Sequence, residues 1–435
     1  MQKKISILFI MIVALMCLCD VRAQYSVSSP YSKYGIGSII TTPNQYISSM
    51  GGVSQAFRRN NLVNTLNPAS YSAIDTQSFV FDLGLTMTWK TISTSLSDSK
   101  SFLASLSNLS IAFPLTRGLK MAISLSPISD ISYSVTDTIH SQTNTADGNY
   151  IPTHAKGFDG SGGLDKVTLG LAYQPSINNF LSNFAVGVNL SYVFGNIYRS
   201  NILSFGGAEG YLNSRAEKNY NISAFEVDLG IQYFQPLKNG DILGIGFSAR
   251  LPKKYSFDEE YFRYTYINED NAATLQDTVE YKNISGKITM PYKLSGGLSY
   301  EKPNKFFLGA DVVYTKWSKF SFAEDAQVGM KDNLVFALGG EFIPNIYGSY
   351  LEKFAYRAGI NYDNGYICLN NERITKLGLN LGVSLPIKKL GTNVNISFEY
   401  GKLGTTNHSL IRENYYSIGL SITSKDRWFV KRKYR

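Results

Sequence analysis

The side chains that most often carry out chemistry are scarce in this chain. Its 435 residues hold three histidines, His140, His154 and His408, and three cysteines. A nucleophilic triad needs a histidine beside a hydroxyl or thiol and a carboxylate, and no nearby Ser–Asp arrangement has a useful spacing. Gly160-Ser161-Gly162-Gly163 sets a serine among glycines. It lacks the strand–turn–helix setting of a nucleophile elbow and reads as a flexible loop tip. Asp258, Glu259, Glu260, Glu269 and Asp270 make an acidic, aromatic stretch after Pro252, better read as solvated loop charge than as a cation site. Zinc ribbons and disulfide frameworks need more cysteine than is present. The sequence predicts no enzyme, no metal site and no cofactor.

The N-terminus has the layout of an export signal. Lys3 and Lys4 precede an apolar run from Ile5 to Cys19, and Val21-Arg22-Ala23 supplies a small-x-small cleavage pattern. Residues 1–23 are expected to be removed, leaving Gln24 first and Cys368 as the one remaining cysteine. Cys17 and Cys19 follow Met16 and Leu18, where lipoprotein processing wants a small residue. The net charge of +9 falls to +7 on cleavage, and four positives crowd into the last five residues. Dispersed charge of this kind does not predict nucleic-acid binding.

What must position any function is a set of alternating segments. From Ser78 to Lys90, Phe79, Phe81, Leu83, Leu85, Met87 and Trp89 fall on one face and mostly small or polar residues on the other. Similar faces recur as Val186/Val188/Leu190/Tyr192/Phe194, Val227/Leu229/Ile231/Tyr233 and Leu243/Ile245/Phe247/Ala249/Leu251. The opposite faces hold Ser, Gly, Asn, Ala and Thr, and charged residues are 17% of the chain. A soluble sandwich would turn charged faces to water. A transmembrane barrel reverses this, apolar toward lipid and small polar toward the lumen.

Prolines mark the count. Pro114, Pro175, Pro236, Pro303, Pro344 and Pro386 each follow a strand end and open short turns, while 135–164, 195–219 and 254–284 read as long polar loops. Short periplasmic turns alternating with long extracellular loops predict an antiparallel barrel of about fourteen strands. The predicted division is a signal at 1–23, an N-terminal plug or hatch at 24–76, the barrel at 77–424 and a basic periplasmic tail at 425–435. A barrel of this size needs something in its lumen, and the aromatic-rich segment 24–76 is the candidate. Pro127 interrupts the third strand, where it either kinks the wall or ends the strand. Ser124, Ser126, Ser129 and Asp130 are placed to hydrogen-bond backbone freed there. Pro291 reads as a strand start.

Asn67-Pro68-Ala69, after a Gly-rich stretch and before the first strand, resembles the hatch signature of the outer-membrane FadL/TodX family. Asp311-Val-Val-Tyr-Thr-Lys-Trp317-Ser318 and Tyr356-Arg357-Ala358-Gly359 are similar to two of its later strand motifs. The chain departs from the family in ending on basic residues beyond Phe429. The resemblance implies a fourteen-stranded transporter of long-chain fatty acids or hydrocarbons. Asn67, Pro68 and Ala69 would be hatch elements, and passage would run sideways through a kink in the third strand, here Pro127. The expected partners are a fatty-acid-like molecule and outer-membrane lipid. The alternative is a barrel that docks surface or secretion proteins, with 195–219 and 254–284 as the partner surface.

Overall fold

A computed structural model describes residues 29–427, apart from 96, 144–149, 176–179, 207, 209, 270–271, 323–328 and 388–390. The expected signal at 1–23 lies outside the described residues, as does the tail from 428 onward. Fourteen antiparallel strands close into a barrel. They are β1 (Ser78–Ser93), β2 (Asp98–Pro114), β3 (Leu119–Ile139), β4 (His154–Tyr173), β5 (Phe184–Ser204) and β6 (Asn213–Pro236). Next come β7 (Ile242–Arg250 continued by Lys253–Glu269) and β8 (Ala272–Met290 continued by Lys293–Lys302). The last six are β9 (Phe306–Thr315), β10 (Asn333–Phe342), β11 (Ala355–Asp363), β12 (Lys376–Ile387), β13 (Thr392–Gly404) and β14 (Arg412–Arg427). Closure is the β1–β14 ladder, from Ser78 opposite Arg427 to Ser93 opposite Arg412. No helix among the described residues is long and apolar enough to cross a membrane.

The period-2 faces sort as a bilayer requires. Leu229, Ile231, Leu243, Ile245 and Phe247 are exposed on the outside, while Asp228, Gln232, Ser295 and Ser299 are buried inside. Trp89 stacks near Phe102, Tyr192 near Phe225, and Tyr400 near Tyr416, on the outer wall toward the extracellular side. Such rings form the aromatic girdle of a membrane barrel.

Three expected loops turn out to be strand. β3 runs on to Ile139 and β4 starts at His154, within the stretch 135–164. β5 and β6 fill most of 195–219, and β7 and β8 almost all of 254–284. Their inner faces are partly buried, as at Ile197, Tyr255 and Phe257, but the outward face is polar, as at Ser256, Asp258 and Glu260, so the apolar lipid-facing stripe that marks the other strands is missing. The wall from β3 to β8 is therefore tall. On the other side, β9 stops at Thr315 opposite Lys293 and β10 starts at Asn333 opposite Thr315, giving a low rim. Pro291 stands two residues before the Lys293–Lys302 segment and, with Leu251 and Pro252 facing it, interrupts the β7–β8 ladder between Arg250–Lys293 and Lys253–Met290. The last strand reaches Arg427, so Lys425, expected in the tail, lies within it.

This two-zone wall predicts opposite responses to the same substitution. Leu229→Arg, at a lipid-facing position that is 44% exposed, should destabilise the barrel by roughly 2–4 kcal/mol. Tyr281→Arg, on the tall part of β8 and 60% exposed, should leave stability unchanged. Urea unfolding in lipid vesicles measures both.

Candidate functional site: a filled lumen and a gap in its wall

Residues 29–77 run through the lumen, held by buried polar side chains of the wall. Asn44 caps the short helix Gln45–Ser48, its Oδ1 accepting from the Tyr46 and Ile47 amides. Its Nδ2 donates to Asp82 Oδ2 of β1 at 2.7 Å. Asp82 is fully buried and also accepts from Asn108 of β2 and, at 2.7 Å, from Thr423 of β14. One carboxylate thus joins three strands, including the closing pair, to the lumenal helix. A charge at this depth persists only with such a set of partners.

Asp311 of β9 makes the second attachment. Its Oδ2 accepts from the Ser54 amide at 2.6 Å and the Gln55 amide at 2.9 Å. Arg357 of β11 makes the third. Its guanidinium lies 3.7 Å from the centre of the Tyr46 ring, and Nη1 donates to Ser49 Oγ at 3.1 Å. Glu341 of β10 accepts from the Tyr46 hydroxyl and pairs with Arg59 at 3.2 Å. Asp311 and Arg357 lie within the two strand motifs singled out in the sequence. Asp82, Glu341 and Arg59 were not recognised there. The signal for Asp82 and Glu341 is slight, a lone charge on the small, polar face of an alternating strand, and Arg59 lies in the irregular lumenal segment, where no pattern marks it.

Asn67, Pro68 and Ala69 sit deep in the lumen against β5 and β6. Asn67 is fully buried and caps the turn Pro68–Ala73, with Oδ1 accepting from the Ala69 amide at 3.1 Å. Its Nδ2 donates to Gln55 O at 2.9 Å and Phe247 O at 3.3 Å. Gly230 of β6 allows this approach, because a Cβ there would stand 2.2 Å from Asn67 Oδ1. Gly359 of β11 does the same for Met50, whose carbonyl carbon would be 2.2 Å from a Cβ.

Pro127 lies far from Asn67-Pro68-Ala69 in the chain and belongs to a different feature. The β3 strand does not end there. Pro127 pairs with Asp165 and Ser129 with Leu164 of β4, leaving Ile128 as the extra residue of a bulge. One extra residue exchanges the faces of a strand. Lys120, Ala122, Ser124 and Ser126 are buried before the bulge, and Ser129, Ile131 and Tyr133 after it. Just before the bulge β3 leaves its neighbour: the β2–β3 ladder stops at Leu109–Leu125. Residues 103–108 of β2 then pair with β1 alone among the described residues. The edge of β3 is met from inside instead. Ser38 and Ile39 pair with Asp130 and Ser129, and the Ile40 amide donates to Ile128 O at 2.8 Å. The expected help from serines is absent: the hydroxyls of Ser124, Ser126 and Ser129 have no hydrogen-bond partner among the described residues. Lumenal backbone, with its regularly spaced amides, takes that role.

The gap opens onto a cavity of about 920 Å³. Leu103, Leu106, Leu125 and Pro127 line it on the gap side, with Lys90, Lys376, Glu399 and Glu413 further in. Those charges are paired, Lys90 with Glu413 at 3.5 Å and Lys376 with Glu399 at 3.4 Å. Above, Trp317 and Phe322 pack with Tyr220, Tyr255 and Phe257 as an apolar cover. The loop carrying them is pinned by Asp332, which accepts from the Ser318 amide at 2.9 Å and pairs with Lys316 at 3.0 Å. Hydrogen bonding from Ser318 holds the Asp332 carboxyl well below the usual carboxylate range. The three-part attachment, the bulged strand and the cavity behind it form one arrangement. The BamG family model matches the chain over residues 1–435.

The chain belongs to the BamG family. No curated protein matches it. This BamG-family barrel shares its fold with solved channels at low identity. The Pseudomonas putida toluene transporter TodX is 15% identical, with a TM-score of 0.54 over 89% of this chain and 99% of that one. The CymD monoaromatic hydrocarbon channel is 16% identical, with a TM-score of 0.54 over 91% and 99%. A Pseudomonas aeruginosa FadL homologue is 11% identical, with a TM-score of 0.58 over 90% and 100%. The resemblance read from the short motifs thus holds for the fold, while the matching family model carries a different name.

If Asp311 anchors the lumenal segment, Asp311→Ala strands two buried amides and should ease local opening by about 1–3 kcal/mol. Hydrogen exchange across residues 45–60 should speed up accordingly, with the barrel's heat-dependent gel mobility unchanged.

Proposed function

We infer that this barrel passively exchanges hydrophobic or amphiphilic molecules, of the long-chain fatty-acid kind, between the cell surface and the outer-membrane bilayer. The observation that carries the reading is the gap between β2 and β3, which leads from bilayer depth to the 920 Å³ cavity. Phe102 stands opposite Trp89 in the outer aromatic belt, so residues 103–108 lie below it, level with the acyl chains. Non-ladder backbone is tolerated at that depth where it lines a cavity. Leucines on the gap side suit an alkyl chain, and the paired charges further in suit a polar head. The fold shared with hydrocarbon channels supports the same class of cargo. In this reading Asn67-Pro68-Ala69 fixes the hatch to the wall, Pro127 sets the kink, and the Ser38–Ile40 segment is the part that moves.

Deleting Ile128 removes the extra residue of the bulge and should let the β2–β3 ladder continue, and Pro127→Ala restores the missing amide. Uptake of a fluorescent long-chain fatty acid by cells should fall in both variants, more strongly in the deletion, with folded barrel at normal levels. Unchanged uptake in the deletion variant would sink the lateral route. Mass spectrometry of small molecules retained by the detergent-purified protein should find a hydrophobe absent from a control barrel.

A further inference from the structure

On the outside of the tall wall, three lysines gather where the aromatic belt ends. Lys253 and Lys254 open the upper part of β7, and Lys287 of β8 lies opposite Ser256. All three are exposed. With Tyr192 of β5 and Phe225 of β6 they line a shallow hollow of about 540 Å³ on the outer face. β6 bounds the hollow on one side, where Ser223 pairs with Ser256.

The height of this hollow is fixed by what lies above and below it. Tyr192 and Phe225 are opposite residues of neighbouring strands, with ring centres 5.1 Å apart, and both belong to the outer aromatic belt. Such rings sit at the headgroup level of a bilayer. Below them the outward side chains are apolar, with Leu229 and Leu251 exposed. Above them Asn221, Asp258 and Ser285 are exposed instead. The lysines therefore stand at the boundary between hydrocarbon and water.

Their charge is not used within the protein. None of the three has an ion-pair partner among the described residues. Elsewhere lysines do pair, Lys282 with Glu280 and Lys316 with Asp332 at 3.0 Å. Asp258, the outward carboxylate two residues above Ser256, accepts instead from Ser285 Oγ at 2.6 Å. Like charges around one hollow repel one another, and an anion placed among them relieves that repulsion.

We propose that Lys253, Lys254 and Lys287 bind the phosphorylated headgroup of a lipid in the outer leaflet, with Tyr192 and Phe225 against its apolar part. A phosphate offers acceptor oxygens to more than one ammonium group at once, and charge-assisted bonds of this kind are the strong ones. A soluble acidic partner does not fit this place. The hollow opens where headgroups pack, and its lower rim is the apolar wall that meets acyl chains. The inference rests on the outer-membrane setting of the reading above and is independent of the gap between β2 and β3.

The test uses the folded full-length protein in detergent, titrated with diphosphorylated lipid A and read by native mass spectrometry. Lys254→Gln with Lys287→Gln removes exposed charge and should leave the heat-dependent gel mobility as it is. At about fivefold per lysine near an anionic surface, this double variant should weaken lipid A binding roughly thirtyfold. Lys254→Arg with Lys287→Arg keeps the charge and should bind as the parent does. Lipid A stripped of its phosphates should bind the parent as weakly as intact lipid A binds the double variant. Equal affinity of parent and double variant would overturn the proposal. Equal binding of the two lipids would do so as well, leaving only apolar contact with the belt. Displacement of lipid A by millimolar inorganic phosphate would also overturn it, by showing a site for a free anion. Fatty-acid uptake by cells carrying the double variant should stay at the parent level, which separates failure of this site from failure of exchange.

Discussion

A hydrocarbon medium offers no hydrogen bonds, so every amide and carbonyl at bilayer depth must find a partner within the protein. Thirteen of the fourteen strand junctions meet that demand at bilayer depth chiefly by pairing with the next strand, through to the closing ladder of β1 and β14. The exception lies between β2 and β3. There Pro127 removes one amide, Ile128 adds a residue, and the two strands part. The edge of β3 is then satisfied by residues 38–40 from inside. The lumenal segment is thus part of the wall as well as its filling, and the wall cannot be described without it.

The same segment explains why the lumen is so polar. A plug made of loop and short helical turns has many amides and carbonyls that no regular ladder satisfies. Asp311 takes two of those amides, Asn67 bridges to two carbonyls, and Asn44 caps one helix while holding Asp82. Around Tyr46, Glu341 pairs with both Arg357 and Arg59, and Glu301 supplies the second negative charge by pairing with Arg59. Side chains that would mark a catalytic or binding centre in a soluble protein here attach a plug to a wall. Buried charge is an ambiguous pointer to function for this reason.

Height divides the barrel into two halves. The wall from β3 to β8 continues well past the bilayer, while β9 to β11 stop near its surface. The gap lies at one margin of the tall half, where β2 and β3 part, and at the other margin the wall drops to the low rim of β9.

The sequence by itself determined the barrel. Strict alternation in segments such as Phe79–Trp89, with small polar opposite faces, has one stable arrangement in lipid, and the prolines at the short turns set the strand number. Residues 24–76 were legible as an aromatic-rich stretch without strand alternation, and Pro127 as an interruption of the alternation around it. The outcome of that break was decided by the tertiary structure. Whether a proline ends a strand or bulges it depends on what meets the freed edge, and residues 38–40 are about ninety positions away in the chain. The tall walls were hidden for a related reason: strands whose outward face is wet carry no lipid-facing stripe to read, and 254–284 becomes a hairpin only because its two arms pair with each other and with β6. Likewise the role of Asp82 followed from long-range geometry, since its partners Asn44, Asn108 and Thr423 come together only when the last strand closes on the first.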